Sequence, residues 1–137
     1  MTTGLPTELN RPTTFRGTFR DDLIARAAYS EAAGIGRVIP QAVAVPVDAE
    51  DVVALVRWAR EMKIPITPRG SGTSMGGGAI GPGVIADLSA MSTLGAVNAG
   101  TRRVEVGPGS LRASVNSAAT ACGLRFPVDP SSGDYCT

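Results

Sequence analysis

The sequence predicts an α+β fold in which a small subdomain with parallel strands precedes a mainly antiparallel α+β subdomain. In residues 42–67, two short apolar runs flank an amphipathic helical pattern, the order of a strand–helix–strand unit with parallel strands. From residue 96 the apolar residues alternate and turn at Asn98–Gly100, as in a hairpin. A glycine-rich stretch, residues 70–83, lies between these two parts. The 137 residues suffice for one domain with a core.

The first 92 residues are predicted to hold an N-terminal arm and the first subdomain. Residues 1–17 are polar and contain two prolines, so we expect an arm that is disordered or lies over the surface. Residues 18–92 form the subdomain. Thr18 followed by Asp21 resembles a capping box, and the helix after it is expected to bury one apolar face, formed by Leu23, Ile24, Ala27 and Ala28.

The strand–helix–strand unit has the clearest pattern. Ala42–Val45 is predicted as a strand, and Asp48 as the N-cap of a helix with Asp51 in its first turn, where a carboxylate suits the positive helix end. That helix carries an apolar stripe of Val52, Leu55, Val56, Ala59 and Met62. Ile64–Thr67 is predicted as the second strand, and "GVIADLS", residues 83–89, as a third and buried one.

Residues 93–137 are predicted to begin the second subdomain. After the hairpin, Ser110 is placed to cap a helix, and Gly123 is placed to end it in the left-handed conformation. The apolar face of this helix comprises Leu111, Val115, Ala118, Ala119 and Cys122. The last stretch, "LRFPVDPSSGDYCT", predicts a short strand and a proline-rich loop.

Composition excludes several classes of function. Lys and Arg number 13 and Asp and Glu 12, so no basic surface for nucleic acid is expected. The chain has no histidine, which excludes a Ser–His–Asp triad and a His-ligated zinc site within it, and neither a catalytic residue nor a metal site is predicted. We see no secretory signal and no run of about 20 apolar residues for a membrane helix. Cys122 and Cys136 are expected to be free thiols in a reducing cytoplasm.

The glycine-rich stretch is the candidate site. Seven of the fourteen residues from Gly70 to Gly83 are glycine, and main-chain N–H groups can approach an anion closely where no Cβ intervenes. Two common phosphate motifs do not fit, because Lys63 is the only lysine and Met75 breaks the dinucleotide pattern. A flexible surface loop is the alternative. Against it, the preceding arginine and two hydroxyl side chains are donors suited to a diphosphate.

Several stretches, in order, resemble the FAD-binding domain of the vanillyl-alcohol-oxidase type, also called the PCMH type. "PRGSGTSMGGGA" resembles its pyrophosphate loop, "DLSAM" the segment that follows, and "VEVGPGSL" the next strand and turn. "FPVDPSSGDYCT" resembles the stretch before the second flavin loop. The resemblance covers about residues 20–137 and implies FAD as the cofactor. Within the family, "YSEAAGIGRVIPQAVAVP" is most similar to FAD-linked 2-hydroxy acid dehydrogenases and oxidases of the D-lactate and glycolate kind.

The resemblance implies a set of cofactor-binding residues. The pyrophosphate would be wrapped, mostly by N–H groups, by Arg69, Gly70, Ser71, Gly72, Thr73 and Ser74, with Gly76, Gly77 and Gly78 continuing the close approach. Asp129, Pro130 and Ser131 would lie along the flavin, and Cys136 and Thr137 would begin the next contact. Relatives with covalent flavin have a histidine where this chain has Thr73, so the resemblance implies noncovalent FAD.

The family pattern continues beyond the "CT" of residues 136–137 with a Gly-Gly loop, further strands and a substrate domain. We therefore expect the truncated, N-terminal portion of a larger flavoprotein, as expressed or as a natural truncation, whose parent oxidises a 2-hydroxy acid to a 2-oxo acid. The portion alone is expected to be inactive, to bind FAD weakly and to self-associate through apolar surface that the missing domains would cover. The setting is cytoplasmic, with the parent free there or peripheral at a membrane. A non-enzymatic α/β module that binds a phosphate ligand or a protein stays open as the alternative.

Overall fold

A mixed sheet of four strands, in the order β1-β2-β4-β3, organises the part of the chain that the structure describes, residues 9–137. The structure is a computed structural model. Its elements are β1 (Thr18–Arg20), α1 (Leu23–Ala28), β2 (Ala42–Val45), α2 (Ala49–Met62), β3 (Ile66–Arg69), β4 (Val84–Asp87) and α3 (Arg112–Ala121). Mixed strand directions with helices confirm the predicted α+β class.

The central strand of the sheet is β4, which runs parallel to both β2 and β3. Val84 faces Ala42 on one side and Ile66 on the other. The predicted parallel strands are confirmed, although β3 begins at Ile66 rather than at the predicted Ile64. Strand β4 lies between β2 and β3. Since parallel strands end at the same edge of a sheet, Arg69 of β3 and Asp87 of β4 are paired directly. The glycine-rich stretch leaves the sheet from this edge.

Helix α2 begins and ends with well-formed caps. The Asp48 side chain accepts a hydrogen bond from the Asp51 N–H at 3.0 Å, which confirms the predicted N-cap. Lys63 closes the helix in the left-handed conformation, with φ 55°. Leu55 and Ala59 are buried against the sheet, whereas two other members of the predicted stripe, Val56 and Met62, are exposed. The buried part of the stripe is therefore narrower than the sequence pattern predicts.

The segment before β1 is anchored in the core. Phe15 is 1% exposed and packs in the cluster that contains Leu55 and Val84. The N–H groups of Arg16 and Gly17 donate to the carboxylate of Asp51 at 3.0 and 2.8 Å. The prediction of a disordered or surface-lying arm is therefore wrong around Phe15, because one aromatic anchor and a buried carboxylate fix an otherwise polar segment. Residues 1–8 of that arm lie outside the described residues.

Helix α1 differs from its prediction. Its N-cap is Asp22, whose carboxylate accepts from the Ala25 N–H at 3.1 Å, so the capping box from Thr18 is wrong. Thr18 instead pairs with Val45 in the antiparallel β1–β2 ladder. The predicted apolar face, Leu23, Ile24, Ala27 and Ala28, is exposed, and Ala25 is the buried residue. Because Thr18 pairs in the sheet, it cannot cap the helix, and α1 begins later, at Leu23 after its N-cap Asp22.

Beyond β4 the chain forms a hairpin and one helix. Antiparallel bridges join Leu94 to Val106 and Asn98 to Arg103, which confirms the hairpin. The Ser110 hydroxyl donates to the Thr93 carbonyl at 2.8 Å, and α3 has no side-chain cap, so the predicted Ser110 cap is wrong. The domain boundary near residue 92 stays a prediction.

The end of α3 follows the glycine-cap prediction. Gly123 has φ 69°, and the N–H groups of Gly123 and Leu124 donate to the carbonyls of Thr120 and Ala119. Cys122 is exposed rather than part of the buried face, because it is the C-cap residue and lies beyond the last residue of α3. The short strand predicted after it does not form, and residues 124–137 are turns and irregular structure.

Candidate functional site

A cleft of about 250 Å³ lies at the carboxyl edge of β3, where the glycine-rich loop begins. The loop is tied to the chain after α1 by a hydrogen bond of 3.0 Å from the Ala33 N–H to the Gly72 carbonyl. The cleft is lined by Pro68, Arg69, Gly70, Ser71, Gly72, Thr73, Ser74, Gly78, Ala79 and Thr137. We call it the glycine cleft. It brings together one predicted residue from the C-terminal segment and most of those predicted in the loop.

Consecutive main-chain N–H groups in the loop have no acceptor among the described residues. Within residues 9–137, no hydrogen bond is donated by the N–H of Ser71, Gly72, Thr73 or Ser74. All four residues line the glycine cleft. Successive N–H groups in a concave loop form an anion site, because their dipoles add without a lysine. The cleft can therefore accept an anionic ligand with several oxygen atoms.

Glycine is required at different positions of the loop for different reasons, either a positive φ or a neighbouring atom where a Cβ would lie. Gly72 has φ +78°, and a Cβ there would lie 2.5 Å from Nη2 of Arg69. A Cβ on Gly70 would lie 1.8 Å from Oγ1 of Thr137. Gly77 has φ +79° but faces open space, and Gly76 has open space without a positive φ. The loop is therefore closely packed at residues 70–72, where Thr137 and Arg69 leave no room for a Cβ, and unobstructed at residues 76–77, which lie outside the lining of the cleft.

Arg69 supports the loop from beside it. Its Nη1 donates to the Glu31 carbonyl at 2.8 Å and to the Ala79 carbonyl at 3.3 Å. Its guanidinium lies 5.1 Å from the centre of the Tyr29 ring. Arg69 was predicted to wrap the pyrophosphate, and the structure places it in the lining of the cleft with its Nη1 already bonded to main-chain carbonyls. Its positive charge lies next to the glycine-rich loop. Its hydrogen bonds link Ala79, near the end of the loop, to Glu31, in the segment after α1.

Tyr29 and Asp87 complete the support under Arg69. The Tyr29 hydroxyl donates to Oδ2 of Asp87 at 2.5 Å, and Oδ1 of Asp87 accepts from the Ser89 N–H at 2.9 Å. Burial and the Asp87 carboxylate raise the pKa of Tyr29 to about 12, against the opposing charge of Arg69. Sequence reasoning missed Tyr29. The signal available was Asp87 at the end of the most buried strand, in register with Arg69.

The predicted residues of the C-terminal segment divide into two groups. Thr137 reaches the glycine cleft, whereas Asp129, Pro130, Ser131 and Cys136 do not line it. The Asp129 carboxylate pairs with Arg112 at 2.5 Å and with Arg125 at 3.1 Å. In the loop itself, Gly77 is outside the lining, and the Ser74 hydroxyl accepts from the Gly78 N–H at 3.1 Å.

Two other site types were searched within the described residues. No group of three or more Cys, Asp or Glu side chains in residues 9–137 is placed to hold a metal ion. No helix in that range has the length and apolar character needed to cross a bilayer.

The chain belongs to the family described as the FAD binding domain, whose family model matches residues 40–137. This span contains the whole glycine-rich loop, α3 and the C-terminal segment. The cofactor that this family implies is FAD, which carries a pyrophosphate.

Curated relatives match most of this chain, whereas this chain covers only a small part of each relative. D-2-hydroxyglutarate dehydrogenase of Pseudomonas putida is 31% identical over 134 residues, which are 95% of this chain and 13% of that enzyme. Probable D-lactate dehydrogenase of Danio rerio is 38% identical, over 66% of this chain and 19% of that protein. Glycolate oxidase subunit GlcD of Escherichia coli is 29% identical, over 74% and 21%. The chain therefore spans less than a quarter of the length of each of these three.

Solved structures show the same fold. Alkyldihydroxyacetonephosphate synthase aligns with 87% of this chain and 25% of its own, with a TM-score of 0.73 and 21% identity. The 6-hydroxy-D-nicotine oxidase of Arthrobacter nicotinovorans aligns with 86% of this chain and 26% of its own, with a TM-score of 0.70 and 26% identity. The predicted resemblance to PCMH-type FAD-binding proteins is confirmed by these matches and by the family.

Proposed function

We propose that the glycine cleft holds the pyrophosphate of FAD. The observation that carries this proposal is that four consecutive residues lining the cleft, Ser71 to Ser74, have main-chain N–H groups without an acceptor in residues 9–137. A diphosphate supplies oxygen acceptors for such a run, and the adjacent Arg69 charge adds attraction. Family membership supports FAD over the alternative of a module that binds another phosphate ligand.

The experiment is an amide NMR titration of the chain with FAD, and with ADP, which carries the adenosine and a diphosphate but no flavin. Both ligands are expected to shift the amide signals of Ser71–Ser74, and FAD also those of residues near Thr137. The chain alone is expected to bind weakly, so the titration runs to millimolar ligand. The absence of shifts in Ser71–Ser74 at that concentration would overturn the proposal.

We further propose that the flavin is held without a covalent bond. The family resemblance implies that Thr73 stands where covalent relatives have histidine, and the whole chain has no histidine. A threonine hydroxyl is a weak nucleophile without an adjacent base to activate it. Protein loaded with FAD and then precipitated with acid is expected to release all of its flavin into the supernatant. Flavin that stays in the pellet would contradict this.

For the intact parent we propose oxidation of a 2-hydroxy acid to a 2-oxo acid. The support is that the three curated relatives named above are, by their names, a D-2-hydroxyglutarate dehydrogenase, a probable D-lactate dehydrogenase and a glycolate oxidase subunit. FAD, when bound, accepts the hydride, and this chain's part is to bind and orient it. The test is reduction of a redox dye by the complete encoded protein with D-lactate, D-2-hydroxyglutarate and glycolate. Reduction by none of them would reject this substrate class.

We also propose that further domains complete the flavin pocket and that the setting is cytoplasmic. The support for a reducing cytoplasm is that both cysteines are free thiols.

We propose in addition that the chain alone self-associates. Exposed apolar side chains in the second half include Leu94, Val106, Leu111, Phe126 and Val128. Such surface favours association when nothing covers it. Light scattering across a range of concentrations is expected to show mass rising above 14.0 kDa. A constant monomer mass would count against self-association.

A further inference from the structure

Arg112 is the most connected side chain of the C-terminal half. Its Nε donates to the Val128 carbonyl at 2.7 Å and its Nη2 pairs with Asp129 at 2.5 Å, while its side chain is 13% exposed. Its main-chain N–H donates to the Cys136 carbonyl at 2.9 Å. One residue thus binds both ends of the segment 128–136.

Gly133 gives the guanidinium its room. This glycine is buried, and a Cβ there would lie 2.9 Å from Nη1 of Arg112 and 3.1 Å from the Pro130 carbonyl. The segment therefore folds back over the arginine, and the residue that follows it, Thr137, meets Gly70 in the glycine cleft. Both oxygens of the Asp129 carboxylate have arginine partners, one of them Arg112 and the other the exposed Arg125.

We propose that Arg112 is a positioning residue that holds residues 128–136 as one ordered loop and so presents Thr137 to the glycine cleft, with Asp129 acting through Arg112. This inference rests on the proposed function for its effect on FAD, and on the contacts above for the loop itself. The Arg112–Asp129 pair is the stronger of the two side-chain contacts, because a hydrogen bond between two ionised groups is stronger than one to a neutral carbonyl. Asp129 therefore influences the cofactor site by organising its wall.

The first test needs no cofactor. In a Cys122→Ser background, Cys136 is the single thiol of the chain and reports on the loop. Arg112→Ala and Asp129→Asn are expected to raise the rate at which Cys136 reacts with a disulfide reagent by about tenfold, because the loop opens more often when a charge-assisted bond is lost. Arg125→Ala is the matched control. It removes an exposed partner of the same carboxylate and is expected to change the rate less than about twofold.

The second test measures FAD affinity by amide NMR on the same variants. Arg112→Ala and Asp129→Asn are expected to weaken FAD by about tenfold while ADP, which lacks the flavin, is weakened less. A purely structural loss of stability would weaken both ligands equally. Asp129→Asn keeps the shape of the side chain and decides the matter if Arg112→Ala does not fold.

The two readouts separate the proposals. If wild type does not bind FAD, the proposed function fails, and the thiol rates still decide whether Arg112 holds the loop. If Cys136 reacts at the wild-type rate in both variants, the positioning role is overturned even where FAD binds. Equal effects of Arg112→Ala and Arg125→Ala on the thiol rate would overturn it as well.

Discussion

The hydroxyl of Tyr29 donates a hydrogen bond of 2.5 Å to Oδ2 of Asp87, and this bond joins the end of α1 to the carboxyl end of β4. The ring of the same tyrosine lies against the guanidinium of Arg69, which donates to the Ala79 carbonyl in the glycine-rich loop and to the Glu31 carbonyl in the segment after α1. The loop is therefore supported by a short chain of contacts that starts at a buried carboxylate.

Tyr29→Phe removes the hydroxyl and keeps the ring under Arg69. Asp87 is 7% exposed, so its carboxylate loses a partner that water replaces poorly. We expect the free energy of unfolding to fall by about 1–2 kcal/mol in urea titrations. The control is Tyr135→Phe, at a ring that is 73% exposed, with an expected change below about 0.5 kcal/mol. Equal effects of the two changes would contradict the role given to Tyr29.

The same tyrosine predicts loss of stability at alkaline pH. Its pKa rises from the ordinary 10.0 to about 12 in the folded chain, so the folded state holds the proton more tightly than the unfolded state. Its contribution is complete below pH 10 and is lost as the pH rises toward 12. The ultraviolet absorbance of tyrosinate, compared with Tyr29→Phe, is expected to show one phenol titrating near pH 12 in native protein. Titration of the Tyr29 phenol near its ordinary pKa of 10.0 would refute this.

Alanine substitutions along the loop separate strain from crowding. Gly72→Ala forces an L-residue to φ +78° and brings Cβ to 2.5 Å from Arg69, whereas Gly77→Ala imposes the positive φ without a neighbour. Gly76→Ala imposes neither. We expect Gly77→Ala to cost about 1–2 kcal/mol, Gly72→Ala more, and Gly76→Ala less than about 0.5 kcal/mol in thermal unfolding. A different order would show that the loop conformation is not as described.

Asp51 predicts sensitivity to acid. Burial opposes its ionisation, but the N–H groups of Arg16, Val47 and Gly17 outweigh burial, so the pKa of Asp51 lies below the ordinary 3.8. Its contribution is present above pH 3.8 and is lost as the pH falls through the lowered value. Asp51→Asn is expected to lower the melting temperature at pH 7 by roughly 5 °C or more.

The matched change is Asp21→Asn at an exposed carboxylate, which should leave the melting temperature nearly unchanged. The gap between wild type and Asp51→Asn should narrow below pH 3.8, as measured by calorimetry. A gap that is independent of pH would mean that the carboxylate charge is not what stabilises the fold.

Patterns with a strong local cause could be predicted from the sequence. The Asp48 cap, the Gly123 end of α3 and the buried strand at Val84–Asp87 follow from residues next to each other in the chain. The order β1-β2-β4-β3 could not be obtained that way, because strand neighbours are decided by tertiary packing. The same reason explains Thr18, where pairing with Val45 overrides a plausible capping box.

The candidate site was predictable in part. Glycine content and the family resemblance indicated the loop, and the structure adds the reason for Gly70 and Gly72. Tyr29 lies 58 residues from Asp87, and no local pattern announces a hydrogen bond across that distance. The hydrogen bonds of Arg112 to residues 128–136 could not be predicted from the sequence either, since an arginine in the first turn of a helix usually faces solvent.

The contact between Thr137 and Gly70 has a practical consequence for anyone who produces the chain. A polypeptide joined to the carboxyl group of Thr137 starts its path at the wall of the cleft, within reach of the loop. A purification tag at that end would lie near the opening of the glycine cleft and would lower the measured ligand affinity by steric hindrance. The amino terminus is the better place for a tag.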